Sequence, residues 1–180
     1  MSPSPFIEEW IARAACAPRG RALDLAMGRG RHALALARAG FPTFGVDLDY
    51  AAVRDAMAAA VRRDLRIAAW CADLTEHPLP RSRFDVIVVA RYLQRDLFAA
   101  IRDAVASGGM VIYETFTVAQ RALGWGPTSP SHLLEPGELR AQFNGFDVLA
   151  YEETIAPEAV ARIAARRPMT RQVLVRSVRL

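Results

Sequence analysis

The sequence predicts one α/β domain on a doubly wound, mostly parallel sheet that finishes with an antiparallel pair of strands. Three observations carry this. Short apolar runs alternate with amphipathic segments through the first two thirds of the chain, the pattern that right-handed crossovers turn into a parallel sheet with helices on both faces. The fourth apolar run, residues 84–89, is almost wholly apolar, as a strand covered on both faces must be. A Gly28-x-Gly30 turn joins the first apolar run to the first amphipathic segment, and reads as strand, tight loop, helix.

The elements follow in order. Phe6, Ile7, Trp10, Ile11 and Ala14 fall at helical spacing, and Pro5 suits a helix's first turn. Residues 16–20 break that helix. Strand 1 is predicted at 22–26 and a helix at 31–39, stopped by Gly40. Strand 2 takes 43–46. A helix over 50–63 places Val53, Met57 and Val61 four residues apart. Strand 3 takes 66–70, and the Pro-containing stretch 75–83 reads as a loop in place of a third full helix. After strand 4, a helix over 95–106 ends at Ser107-Gly108-Gly109, and strand 5 takes 110–115. Residues 118–134 hold Gly124, Gly126, Pro127 and Pro130 and form a long loop over the strand ends. A short helix is predicted at 136–143. The terminal strand pair is placed at 146–153 and 172–178, joined by a helical or irregular basic segment, 156–167.

Bulk properties bound the rest. A chain of 180 residues, 52% hydrophobic, supports one real core and is not a disordered chain. We expect a single domain over 1–180, with the N-terminal helix packing on or lidding the core. The net charge is +4 and all 23 basic residues are Arg. They are dispersed, mostly near acids, so a nucleic-acid partner is not expected. Cys16 and Cys71 have no metal-ligand spacing, and His32, His77 and His132 are scattered, so no metal site is expected. The longest apolar run, 86–90, is too short for a bilayer, and Glu8 and Glu9 lie where a signal peptide is apolar. These features point to a cytoplasmic protein without a membrane partner.

The chemistry concentrates in acids at the ends of successive strands. Asp24 lies in strand 1 ahead of the glycines, Asp47 follows strand 2 and Asp73 follows strand 3. Ligands of such sheets bind outside the strands' carboxyl ends, so three acids there make a nucleoside pocket. Each has a plainer role available. Asp24 can bridge the loop as an acceptor, Asp47 can cap the next helix (with Asp49 competing for that cap), and Asp73 can start a turn. Gly28-x-Gly30-x-x-Ala33 with an acid nineteen residues on also fits a dinucleotide-binding oxidoreductase. Against that stand the acid inside strand 1, the acid after strand 3 and the absence of any Lys for a Tyr-x-x-x-Lys pair.

These residues resemble the class I S-adenosylmethionine-dependent methyltransferases over nearly the whole chain. The family's acid-x-x-x-Gly-x-Gly motif is matched by Asp24-Leu25-Ala26-Met27-Gly28-Arg29-Gly30. The resemblance implies a seven-stranded Rossmann-like sheet and S-adenosylmethionine as cofactor, with Asp47 on the ribose hydroxyls and Asp73, beside Leu74, on the adenine amino group. It implies cofactor-binding residues Asp24, Ala26, Gly28, Gly30, Arg31, Asp47, Leu48, Asp73 and Leu74, Arg31 reaching the methionine carboxylate or lying in solvent. Residues 84–97, 111–117 and 133–139 resemble small bacterial enzymes related to the tellurite-resistance methyltransferase. Two positions depart from that pattern: Met27 replaces a small residue, and Gln94 stands where a His often follows Tyr-Leu. No Asn-Pro-Pro-Tyr motif follows strand 4, where Ala90-Arg91-Tyr92-Leu93 stands, which argues against an amino group on a nucleic-acid base as target. The expected reaction is methyl transfer to a small anionic or ionisable acceptor, with Arg91, Tyr92 and Glu114 as catalytic candidates. Glu114 can equally anchor the 116–134 loop, and the basic residues Arg162, Arg166, Arg167 and Arg171 read as a solvated connection. A non-catalytic cofactor-binding protein is the alternative from another class.

Overall fold

The computed structural model describes residues 3–16 and 20–169. Its elements are α1 (Pro5–Ala14), β1 (Ala22–Leu25), α2 (Arg31–Arg38), β2 (Thr43–Asp47), α3 (Tyr50–Val61), β3 (Ile67–Cys71), β4 (Phe84–Ala90), α4 (Leu97–Ala104), β5 (Val105–Phe116), α5 (Glu138–Gln142), β6 (Asp147–Thr154) and β7 (Val160–Arg166), with 3₁₀ turns at Val118–Leu123 and Pro130–His132. One seven-stranded sheet runs in the order β3-β2-β1-β4-β5-β7-β6. Strands β1 to β5 are parallel, while β7 pairs antiparallel with both β5 and β6. The sheet class read from the sequence is the one observed.

Each face of the sheet buries one side of its strands. Ile7, Trp10 and Ile11 of α1 and Ala35 and Leu36 of α2 pack on Val86, Val88 and Ile112. Farther along the same face, Leu34 of α2 meets Val53 and Ala56 of α3. The opposite face packs Leu23, Leu25, Ile87 and Val89 against Phe98 and Ile101 of α4 and Phe143 beyond α5. Phe98 and Tyr113 stack there at 5.6 Å. Burying such side chains stabilises by about 1.5–3 kcal/mol each, so this central β1–β4–β5 sandwich holds the strand ends rigid. Among the described residues no helix is long and apolar enough to cross a membrane.

The stretch after β3 forms no helix, as its prolines predict; Leu79 is buried in the core from it, and Ala72 and Leu74 pack against that core. The sequence misplaces one element. Residues 160–166, read as helical or irregular, are strand β7. Their Ala and Arg favour helix, but burial overrides propensity: Val160, Ala161, Ile163, Ala164 and Ala165 are all fully buried between β5 and β6. Small side chains let a central strand fit beneath α1 on one face and α5 on the other. The strand expected at 172–178 lies outside the described residues.

Candidate functional site

The strand order reverses between β1 and β4, and a crevice opens at their carboxyl ends, where α/β sheets bind ligands. The backbone is strained on both sides of it. Ala26, just past β1, has φ 54°, and Arg91, just past β4, has φ 59°. The left-handed conformation costs a residue with a Cβ roughly 1–2 kcal/mol. The two flank the switch point; Asp64 and Ser82, the other non-glycine residues with positive φ among the described residues, lie in turns elsewhere. Gly28 (φ 52°) and Gly30 (φ 75°) turn the chain into α2. A Cβ on Gly30 would sit 2.8 Å from the Ala56 Cβ, so α3 demands glycine there, while the space before Gly28 is open.

The three acids do different work. Asp24 is 1% exposed and accepts the Ala33 N–H at 2.7 Å, tying β1 to the first turn of α2. Burial pushes its carboxyl up to about 7, against the pull of the Ala33 N–H and of Arg31. It is therefore a bridge under the loop rather than a group at the surface of a pocket. Asp47 accepts the Gly28 N–H at 2.7 Å through Oδ2 and the Asp49 N–H at 2.9 Å through Oδ1. The cap of α3 is Asp49, which accepts from Ala51 and Ala52, so Asp47 is left at the strand end. Asp73 accepts both the N–H (2.9 Å) and the hydroxyl (2.7 Å) of Thr75, which hold its carboxyl below the usual range. It begins a turn and also faces a cavity.

That cavity, about 140 Å³, is lined by Ala26, Asp47, Leu48, Asp73, Leu74 and Tyr92, with Val46 and Ala72. A second space of about 500 Å³ wraps the start of α2, lined by Ala26, Gly28, Arg29, Arg31, His32 and Ala90 among others. The first has acceptor oxygens between apolar flanks, which fits a ribose and a planar base. The second has arginines and a helix N-terminus, which fits a carboxylate. The residues present thus suit an S-adenosylmethionine laid across the sheet edge. Desolvation raises the Tyr92 phenol above its usual range, with smaller contributions from Asp73 and Asp47, so it is a neutral donor or acceptor in the cavity.

On the other side of β4 stands a charge network. Glu114 is 0% exposed near the carboxyl end of β5. Its Oε2 accepts from the Ser4 hydroxyl and from Arg162 Nε, each at 2.6 Å, and Arg91 Nε lies 3.4 Å from its Oε1. Arg91 also pairs with Glu158 and stacks 4.4 Å over Phe116. Arg162 reaches on to Glu152 at 2.8 Å. Two buried atoms in this network, Arg91 Nη1 and Glu114 Oε1, have no hydrogen-bond partner among the described residues. Arg91 therefore turns toward β5 and β7 and does not line the Asp47–Asp73 cavity, which Tyr92 does.

Several of these groups escape sequence reasoning. Ser4, Glu158 and Arg162 come together only because α1 and β7 flank β5. Arg162 was expected in solvent and instead lies between two carboxylates; Arg167 donates to the carbonyls of Arg102, Asp103 and Val105. Arg171 lies outside the described residues. The loop after β5 is anchored by Gln120, fully buried between Trp125 O and Ala159 N, and by Arg95 on Leu133 O and Glu138, not by Glu114.

The family described as a methyltransferase domain matches residues 22–109, from β1 into β5. No curated protein matches the chain by sequence. Among solved structures, TehB from Haemophilus influenzae superposes with a TM-score of 0.73 at 17% identity, over 88% of this chain and 62% of that one. This chain thus spans less than two thirds of TehB's length. An S-adenosylmethionine-dependent methyltransferase from Mesorhizobium loti gives 0.68 at 22% identity, over 89% and 98%. A TehB-like S-adenosylmethionine-dependent methyltransferase from Corynebacterium glutamicum gives 0.64 at 20%, over 91% and 89%. These likenesses establish the fold, and residues 22–109, just under half of the chain, are similar to a methyltransferase domain.

Proposed function

We propose that the protein moves a methyl group onto a small anionic or ionisable acceptor by in-line displacement, as a cytoplasmic enzyme. The observation that supports this most is the convergence of Asp47, Leu48, Asp73, Leu74 and Tyr92 on one cavity beside the strained switch point. In this reading Asp47 holds the ribose hydroxyls and Asp73 the adenine edge between Leu48 and Leu74. Gly28, Gly30 and Arg31 receive the methionyl end, with Asp24 beneath them. When bound, the cofactor supplies a methyl group made electrophilic by a positive sulfur. The chain's own task is to orient the acceptor and exclude water, which can lower a barrier by roughly 7–11 kcal/mol.

Arg91 carries the acceptor side of the reading. A free cation near a sulfonium is unfavourable, and two carboxylates answer it here. Glu114 is fixed, with its side chain 0% exposed; Glu158 is 33% exposed and free to swing out. An acceptor's anion takes the place of Glu158 on Arg91, while Tyr92 borders the cofactor cavity and Glu114 holds Arg91 from below. Methyl transfer from labelled cofactor, assayed against panels of thiols, oxyanions and phenols, tests this. Arg91→Ala should raise the acceptor KM or lower kcat with cofactor affinity nearly unchanged, and Arg91→Lys should restore part of the loss. Loss of cofactor binding in Arg91→Ala, with normal rates at saturating cofactor, assigns Arg91 to the cofactor instead. No turnover with any acceptor class leaves the non-catalytic binding protein.

A further inference from the structure

His32, the second residue of α2, is 2% exposed and has no part in the function proposed above. Its Nε2 accepts the backbone N–H of Ser4 at 3.4 Å. An amide N–H can only donate, so Nε2 carries no proton and the neutral ring holds its proton on Nδ1. Burial, with the charges of Arg31 and Arg91 nearby, holds the ring pKa down to about 3, so the ring stays neutral at working pH. Among the described residues Nδ1 has no hydrogen-bond partner. His32 lines the 500 Å³ crevice together with Gly28, Arg29, Arg31 and Arg63. Among the described residues Arg31 and Arg63 meet no carboxylate within ion-pair distance, and Arg29 meets only Asp55, at 3.6 Å. A buried donor with a fixed proton, a helix N-terminus and unspent positive charge share one space.

We propose that the His32 Nδ1–H donates to an anionic oxygen bound in this crevice, and that Ser4 is the positioning residue that keeps the proton on that nitrogen. The oxygen belongs to a carboxylate or similar oxyanion, supplied by the methionyl end of the cofactor or by the acceptor; this rests on the function proposed above. Ser4 then serves both halves of the site, its N–H setting His32 and its hydroxyl holding Glu114.

Nitrogen-15 correlation spectra of the His32 ring test this in the intact protein. The expected result is a ring protonated on Nδ1 alone and not titrating above pH 5; a proton on Nε2 overturns the proposal. Ser4 has φ −65°, the value proline requires. Ser4→Pro therefore removes the N–H at a compatible φ and sets its Cδ against Nε2, so the ring should move off and lose its single tautomer. Ser4→Ala, which keeps the N–H, should not. Saturating S-adenosylhomocysteine should shift the Nδ1 proton, and a decarboxylated analogue should not, if the cofactor supplies the oxygen. If the acceptor supplies it, inorganic phosphate added to the S-adenosylhomocysteine-loaded protein shifts it instead. His32→Phe should weaken whichever probe acts by roughly tenfold or more. Failure of both probes to move the His32 signals overturns the proposal. Failure of the wild type to bind S-adenosylhomocysteine counts against the proposed function, and the tautomer reading, with inorganic phosphate added to the unloaded protein, still decides this one.

Discussion

Asp24 and Glu114 are both buried carboxylates near the ends of central strands, and they are satisfied in opposite ways. Asp24 meets one backbone N–H from nine residues along the chain and no cation within ion-pair distance among the described residues. Glu114 lies between Arg91 and Arg162 and under the Ser4 hydroxyl, partners 48 and 110 residues away in the case of Arg162 and Ser4. The same contrast divides the molecule. On the β1–β3 side, acids are held by nearby backbone: Asp73 by Thr75, two residues on, and Asp47 by Gly28. On the β4–β7 side, charges are held by one another across the fold. A site built on backbone amides can leave oxygens facing a neutral nucleoside. A site built on ion pairs can exchange one of its anions for a substrate's.

The contrast breaks hardest at Glu114. Glu114→Ala removes a fully buried carboxylate, leaves the part-buried Arg91 and Arg162 with only Glu158 and Glu152 as partners, and should cost about 3–5 kcal/mol, the range for breaking a buried pair. Urea unfolding of the variant measures it, and a loss under 1 kcal/mol would show that the two arginines find other partners.

Asp24 should respond to pH instead. Its folded pKa, about 7, lies above the ordinary 3.8, so the folded protein binds the proton more tightly than the unfolded chain. That contribution is fully present below pH 4 and is lost as pH rises through 7. Asp24→Asn should flatten stability across pH 4–7 and at pH 8 exceed the parent by up to about 4 kcal/mol. Thermal unfolding across this range decides it; an unchanged slope would mean that Asp24 does not titrate there.

The same division explains what the sequence reveals. The glycine loop, the acids and strands β1 to β5 are legible because each signal and its partner fall within a few residues, or one strand–helix unit, of one another. Asp49 as a cap beside Asp47 as a strand-end acid is such a case. Strand β7 is not legible, because alanines and arginines favour a helix until β5 and β6 bury them from both sides. Arg162 looks like a surface charge until β7 sets it opposite Glu114, and Ser4 carries no signal until α1 brings it to the same carboxylate. Long-range ion pairing has no sequence period to betray it.

Asp47 and Asp49 put the comparison on a scale of two residues. Asp47→Ala should weaken binding of S-adenosylhomocysteine by about 1.5–3 kcal/mol, the range for hydrogen bonds to a charged group, with stability changed less because the lost contacts, Gly28 N–H and Asp49 N–H, lie at the cavity's edge. Titration calorimetry reads this, and an unchanged dissociation constant in the folded variant removes Asp47 from the ribose site. Asp49→Ala is the smaller effect and the control. Its carboxylate accepts only from Ala51 and Ala52 at the start of α3, so the variant should lose about 1 kcal/mol of stability, as a missing N-cap does. It should keep its cofactor affinity, since Asp49 is not among the residues lining the cavity. If Asp49→Ala instead weakens the cofactor as much as Asp47→Ala does, the two aspartates act as one unit through the Asp49 N–H, and the strand end and the helix cap are a single element of the site.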